Sequence, residues 1–510
     1  MTGALGSNDR VLVLTPTDTK ATADNVKCMI TVTASDNHWS SSATFELVRL
    51  GIMESCADWG YAGATKEGKY RINMYNSLKS SMTVYCRFTP DGAAWTLVDS
   101  SAFSEKGRAD KSYIGSQAYD FGGDTFKLYR MSRNNMNTLR DHSSRWLTAT
   151  NNKMPQVDGL DIDHAQATFL SFDILDFKDG GICQFMESIS IRATVGGAKC
   201  TQCYARWWQD GAGGGHLHTD SGGNGGCYND YLKIGIDGVS SEDNFGHYGS
   251  PSKKFSGTRD GSSTTQYWFQ DLPPKAYGGN PSNPATSCQG VKEDAKKNKR
   301  IPFDGRYYVT QNGAYSPRLV YCKMQNTALA PTPTDKAWTL FMSYQLRRTD
   351  RSADHTRDMS WSAGNPHNSK YRESKSFIAK MKDGGSQRWM VTCNTDMNEQ
   401  KSDHARMLWK NLNIIGWKGG GSCRMHESYA VRNNRRNGAR CKDCYGKWWQ
   451  STNGPLHSDS GNHHSSCGGN YWRGSYTVGS EDNFGGYWSR SNYHTCSNNA
   501  WSTTQWWSEY

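Results

Sequence analysis

The chain has 510 residues and a formal net charge of +11, with 35% hydrophobic and 12% aromatic residues, 52 glycines and 15 cysteines. Disordered chains are poor in aromatics, so this composition describes a loop-rich globular protein whose interior is built from Trp and Tyr rather than aliphatic mass. No apolar run approaches membrane-spanning length and no nucleic-acid motif accompanies the basic charge, so neither a membrane span nor a nucleic-acid partner is expected.

Residues 1–50 read as a β-rich extension. RVLVLT, KCMITVT and ATFELVRL alternate β-branched with polar residues and are bounded by Asp, Asn and Ser, the pattern of short strands. Three strands make little core alone, so they pad the next domain or pair with an edge, on this molecule or a neighbouring one. MTGALGSNDR lacks an apolar signal region, while the cysteine usage points to an oxidising compartment. The expectation is the mature or trimmed form of a secreted, extracellular protein.

From Cys56 onward the chain runs through one pattern twice. The first copy opens SCADWGYAGATKEGKYRI, then MTVYCRFTPDGAAWTLV; the second opens SCQGVKEDAKKNKRIPFDGRYYV, then LVYCKM and DKAWTLF. The middles, about 100–180 and 345–420, align poorly. DTFKLYRMSRNNMNTLRD is a mixed helix or strand candidate, and KSFIAKMKDG and RMLWKNLNIIGW have no assigned topology. The closing thirds align again: CQFMES, CTQCYARWWQD, HLHTDSGG, SSEDNFGHY and TTQYW against CRMHES, CKDCYGKWWQS, PLHSDSGN, GSEDNFGGYW and TTQWW. Cysteines, tryptophan pairs and SEDNFG keep an offset of roughly 240 positions, which identifies a tandem repeat. PPKAYGGNPSNPATS (273–287) between the copies has linker composition. Of the two densest basic runs, VKEDAKKNKR (291–300) reads as a solvated connector and VRNNRRNGARCK (431–442) as an exposed loop.

Each closing third holds a CxxC, Cys200 with Cys203 and Cys441 with Cys444. The two lie in separate copies, too far apart in sequence to suggest one zinc site, and no βαβ context suggests dithiol redox chemistry. They read as structural disulfides. With Cys183 and Cys227, and with Cys423 and Cys467, they leave three connectivities open in each copy.

The openings resemble those of fibrinogen-like domains in their Gly-x-Tyr, Val-Tyr-Cys and Trp-Thr segments, and SCQGVKEDAK…FDGRYYV is most similar to the intelectin branch. That resemblance implies an α+β, loop-rich fold: two tandem fibrinogen-like, intelectin-like domains with short twisted antiparallel sheets and few helices. The expected division is 1–50, 51–272, 273–287 and 288–510. It places bridges at Cys56–Cys86 and Cys288–Cys322, each taken as tying two strands across a loop of about thirty residues. It implies Cys393–Cys496 as well. Cys28 is then left over, either as a buried free thiol or as a bridge to another chain.

The resemblance also implies a calcium-and-glycan site. Its match here is His463, with His464, ahead of Cys467, then Glu481, Asp482, Asn483 and Phe484, then Tyr487 and Trp488. A hard cation seeks several oxygens, which Glu481, Asp482 and Asn483 offer, while an aromatic ring can carry the apolar face of a sugar. The first copy keeps Glu242, Asp243 and Asn244 but has His247, Tyr248 and Gly249 at the aromatic positions. The expectation is that cation binding survives in both copies and sugar binding in one or neither. Two departures stand against this. Two residues intervene between His464 and Cys467, and YWRGSYTVG has no match for the family's next acidic residue. The plainer reading of SEDNFG is a turn with capping carboxylates.

No Gly-x-Ser-x-Gly, His-Glu-x-x-His, phosphate loop or carboxylate pair stands out, and His426-Glu427 lacks the second His of a zinc motif. An enzyme is not expected. The rival to a lectin is a structural subunit of an extracellular filament, coat or adhesive that self-associates through residues 1–50.

Overall fold

The structure is a computed structural model that describes residues 26–35, 40–49, 53–74, 81–102, 128–158, 162–178, 182–191, 198–209, 217–220, 243–245, 264–272, 278–298, 302–311, 313, 316–324, 336–345, 370–393, 404–431, 439–450, 456–459, 482–483 and 503–510. It is built mainly from two 11-stranded sheets, with few helices. The first sheet runs, side by side, Asp243–Asn244, His218–Asp220, Ala198–Trp208, Ile182–Ile191, His164–Thr168, Ser143–Thr150, Thr264–Asp271, Ala94–Ala102, Met82–Phe88 and Gly68–Ile72, with Leu128–Arg130 paired beside Ala94–Ala102. The second repeats that order: Asp482–Asn483, His457–Asp459, Ala439–Gln450, Gly419–Val431, His404–Leu408, Arg388–Cys393, Thr503–Glu509, Trp338–Gln345, Arg318–Lys323 and Gly305–Val309, with Lys370–Arg372 beside Trp338–Gln345. The strand that closes each copy in sequence lies in the middle of its sheet.

Tryptophan builds the core at matching places. Trp95, Trp146, Trp207 and Trp268 are fully buried in the first half, as are Trp338, Trp389, Trp448 and Trp507 in the second. Trp146 meets Trp207 edge to face with ring centres 5.5 Å apart, and Trp389 meets Trp448 at the same distance. One indole in each half hydrogen-bonds to the backbone from the same place: Trp146 Nε1 donates to the Phe172 carbonyl at 2.8 Å and Trp389 Nε1 to that of Leu412 at 2.9 Å. Large rings with one polar handle can fill an interior poor in Leu and Ile.

Over their described residues, the middles that align poorly in sequence share a short strand followed by a helix. A short strand (128–130 or 370–372) leads into the helices Arg133–Asp141 and Lys375–Asp383. Ser132 and Ser374 cap them by accepting from the third backbone N–H beyond, and Ser55 and Ser287 do the same for the helices Cys56–Tyr61 and Cys288–Lys297. A serine at each of four helix starts is a signal that hydrophobic periodicity alone passes over.

Cys56–Cys86 and Cys288–Cys322 are bridged, with Cα atoms 5.5 and 5.4 Å apart. The first cysteine of each pair begins a helix rather than a strand, so each bridge pins a helix start to a strand. The run expected as a solvated connector is largely the helix Cys288–Lys297, which buries Val291, Lys292 and Ala295 and carries Lys296 and Lys297 in its last turn, where the helix dipole favours cations. The stretch expected as a linker is knit into the second half over its described part. The Gly278 carbonyl accepts from Tyr308 N at 2.7 Å, and Ala285 bridges to Val309.

Of the N-terminal segments, Val26–Ser35 and Ser40–Arg49 form a two-stranded hairpin. RVLVLT lies outside the described residues.

The halves touch through ion pairs and apolar contact. Arg145 Nη2 lies 3.5 Å from Asp304 Oδ2, and Arg306 Nη1 donates to Asp141 Oδ1 at 3.2 Å. Leu170 joins an apolar cluster with Tyr321, Trp338 and Trp507. Gly305 sits so close to Leu272 that a Cβ there would lie 2.5 Å from its Cδ1.

Candidate functional site

Each half ends in the same pair of short strands. In the first, Asp243–Asn244 pairs with His218–Asp220 so that Asp243 stands opposite Asp220 and Asn244 opposite Thr219. In the second, Asp482 stands opposite Asp459 and Asn483 opposite Ser458. The Asp-Asn of SEDNFG is therefore a two-residue edge strand in each half. Asp220 and Asp459 went unrecognised in the sequence. Their signal was the recurring His-x-Asp-Ser-Gly of HLHTDSGG and PLHSDSGN.

The strands carrying these residues are held from the sheet interior. In the first half the Tyr267 hydroxyl lies 3.1 Å from the Leu217 carbonyl and also reaches the carbonyl of Phe245. Phe245 follows the edge strand directly. It is fully buried with φ of 60°, a left-handed conformation that a bulky side chain adopts only when its surroundings hold it. His218 is buried and stacks on Trp208 with ring planes 10° apart, and Thr219 Oγ1 donates to the Arg206 carbonyl at 2.5 Å. In the second half Trp506 replaces Tyr267. There the Tyr429 hydroxyl meets Ser458 Oγ at 3.0 Å and ties the His457–Asp459 strand down from a different position.

Directly opposed residues of an antiparallel pair share a sheet face, and like charges so placed repel. The register sets two aspartates opposite one another, and carboxylate oxygens are the ligands that hard cations prefer. The same opposition occurs in both halves. Glu242, Glu481, His463, His464, Tyr487, Trp488 and Cys496 lie outside the described residues, and so does the expected Cys393–Cys496 bridge. Among the described residues no group of three or more His, Cys, Asp or Glu gathers as a metal cluster.

The remaining sequence candidates have structural places. His426 is fully buried and accepts a hydrogen bond from Trp448 Nε1 at 2.8 Å; burial pushes its pKa down to about 3, so it is a neutral core residue. Glu427 is ion-paired with Arg388 at 2.8 Å. Each CxxC lies within a continuous strand, Ala198–Trp208 or Ala439–Gln450, and not at the helix start that lowers a reactive thiol's pKa. Cys423 and Cys444 are both disulfide-bonded.

No family model matches the chain, and no curated protein matches it.

Proposed function

We propose that the protein is a secreted, calcium-dependent glycan-binding protein made of two tandem fibrinogen-like domains of the intelectin kind. The observation that carries this reading is the aspartate opposition at the end of each sheet, Asp220 with Asp243 and Asp459 with Asp482. In this reading a calcium ion relieves the repulsion and is shared with Asn244 or Asn483, with Glu242 or Glu481, and with loop carbonyls. A sugar's vicinal hydroxyls complete the shell in the second half, where His463, His464, Tyr487 and Trp488 line the ligand.

The test is calcium-dependent retention on an array of immobilised glycans. Asp482→Ala and Asp459→Ala are each expected to abolish it, and Asp243→Ala to reduce it less. Retention unchanged by chelator, or equal loss from Asp243→Ala and Asp482→Ala, would overturn the asymmetric lectin.

A second reading, a structural subunit of an extracellular filament, coat or adhesive, draws support from the N-terminal hairpin. Its register places Val26, Cys28, Ile30, Val32, Ala43, Phe45 and Leu47 on one face. A two-stranded ribbon is marginal by itself and gains stability when such a face is covered. Non-reducing electrophoresis tests it: a dimer lost in Cys28→Ser supports self-association through residues 1–50, and a monomer throughout removes covalent linkage.

A further inference from the structure

The contact between the halves has a counterpart on each outer end of the molecule, and the four charges that pair across it keep their signs there. The matching registers Gly68 opposite Cys86 and Gly305 opposite Cys322 set Glu67 at the place of Asp304, Lys69 at that of Arg306, Tyr85 at that of Tyr321 and Arg87 at that of Lys323. On the receiving side, Arg145 stands opposite Gln270, and Arg388 reaches Glu509 at the equivalent position. Asp141 and Asp383 each end a nine-residue helix capped by serine. Inside the chain, Asp304 pairs with Lys323 at 2.9 Å and extends to Arg145, while Arg306 reaches Asp141. At the outer ends the first of these is already assembled, with Glu67 on Arg87 at 3.1 Å.

We propose that the chain binds a second copy of itself head to tail. The Gly68–Ile72 edge of one copy docks on the surface around Asp383 and Arg388 of the next, with Glu67 facing Arg388 and Lys69 facing Asp383. Lys66, Glu67 and Lys69 are exposed, whereas their counterparts Phe303 and Asp304 are half-buried and Arg306 is buried. The Asp383 side chain is 64% exposed beside Lys382. Charges on an edge strand also discourage stray strand pairing. That role requires charge but not a particular sign at a particular register, whereas here both positions reproduce the sign found in the internal contact, and both partners on the opposite end do too.

The apolar part of the internal contact is not reproduced. Leu170 corresponds to Lys410 and Phe303 to Lys66, both exposed. The outer contact is therefore held by charge, and is reversible and sensitive to salt. Because it joins two different surfaces, each added copy leaves one of each free, and growth continues unless the rotation closes a ring. This inference is independent of glycan binding and of residues 1–50.

Sedimentation velocity on the full chain tests it at about 20 mM and about 500 mM salt. Species larger than a monomer are expected at low salt, with association at least tenfold weaker at high salt. Lys69→Glu and Asp383→Lys each reverse one exposed charge, and a cation is favourable at the end of the 375–383 helix, so the fold is kept. Each variant alone is expected to be monomeric. The double variant is expected to associate again, and an equal mixture of the two single variants to associate as an alternating array, since each variant's surfaces match only those of the other. A wild-type chain that stays monomeric at low salt, or self-association unchanged in both single variants, would overturn the proposal. So would a double variant that folds but remains monomeric.

Discussion

Asp271 is a carboxyl held almost wholly out of water. It is buried beneath the first opening bridge, where its Oδ2 accepts from Cys56 N at 3.1 Å and Thr96 Oγ1 at 2.5 Å. Burial pushes its pKa up to about 7 against the pull of those bonds, and the nearby Asp58 adds to the rise. An unfolded chain releases this proton near pH 4 and the folded chain only near 7, so this group's contribution to stability falls as pH rises across that window. Asp271→Asn keeps an acceptor and removes the titration. Its stability relative to wild type should improve by about 1–2 kcal/mol between pH 5 and pH 8, measured by urea unfolding at each pH. An unchanged difference would mean the carboxyl is ionised throughout. The second half has Tyr510 at the corresponding position, which sequence alignment alone reveals, but only the structure shows a carboxyl pressed into a core.

At the scale of elements, the adjoining inner strands of the two sheets differ by a compensated pair. Met186 and Ala205 in the first half correspond to His426 and Gly446 in the second, all at low exposure except the partly exposed Gly446. A Cβ on Gly446 would meet His426 Cε1 at 2.5 Å. Gly446→Ala should therefore destabilise by about 1–3 kcal/mol through overpacking. His426→Met should absorb much of that loss when combined with it, a coupling read from a double-mutant cycle in urea. Simple additivity would show that the ring has room to move. The opening bridges belong to this scale too. Replacing Cys288 and Cys322 with alanine should cost about 2–4 kcal/mol in the same assay, and peptide mapping of the unreduced protein should recover both opening pairs.

For the whole molecule, the contact between the halves contains groups that respond to acid. Burial raises the pKa of Asp304, but Lys323 and Arg145 overrule it and hold the carboxyl below its ordinary value. Burial, aided by Arg306, pushes His142 at the same contact down to about 4. Both groups bind more protons in the unfolded chain. The stability they contribute is present near neutrality, wanes as pH falls through the ordinary histidine range, and is lost in acid. Asp304→Asn strands two cations against the contact and should cost about 3 kcal/mol at pH 7. The same substitution should cost less as pH falls below the ordinary carboxylate range, where the wild-type chain loses the stability this carboxyl contributes.

The pairing of the two opening bridges came from the family resemblance, while sequence by itself determined the repeat, the strands around Gly-x-Tyr and Val-Tyr-Cys, and the β-rich character of the chain. Each of these rests on spacing along the backbone: cysteines, rings and glycines recur at fixed intervals because one local structure is built twice. What tertiary structure alone decided depends on register between segments far apart in sequence. Asp220 faces Asp243, and Asp459 faces Asp482, because a long excursion returns each edge strand to the same neighbour. The middles hide their common topology because helix starts need only a serine and a buried face, which many sequences satisfy. The contact between the halves was equally invisible, since Arg145 and Asp304 become partners only when one sheet's edge strand is laid against the other half. Their ordinary composition as surface charges carried no trace of it.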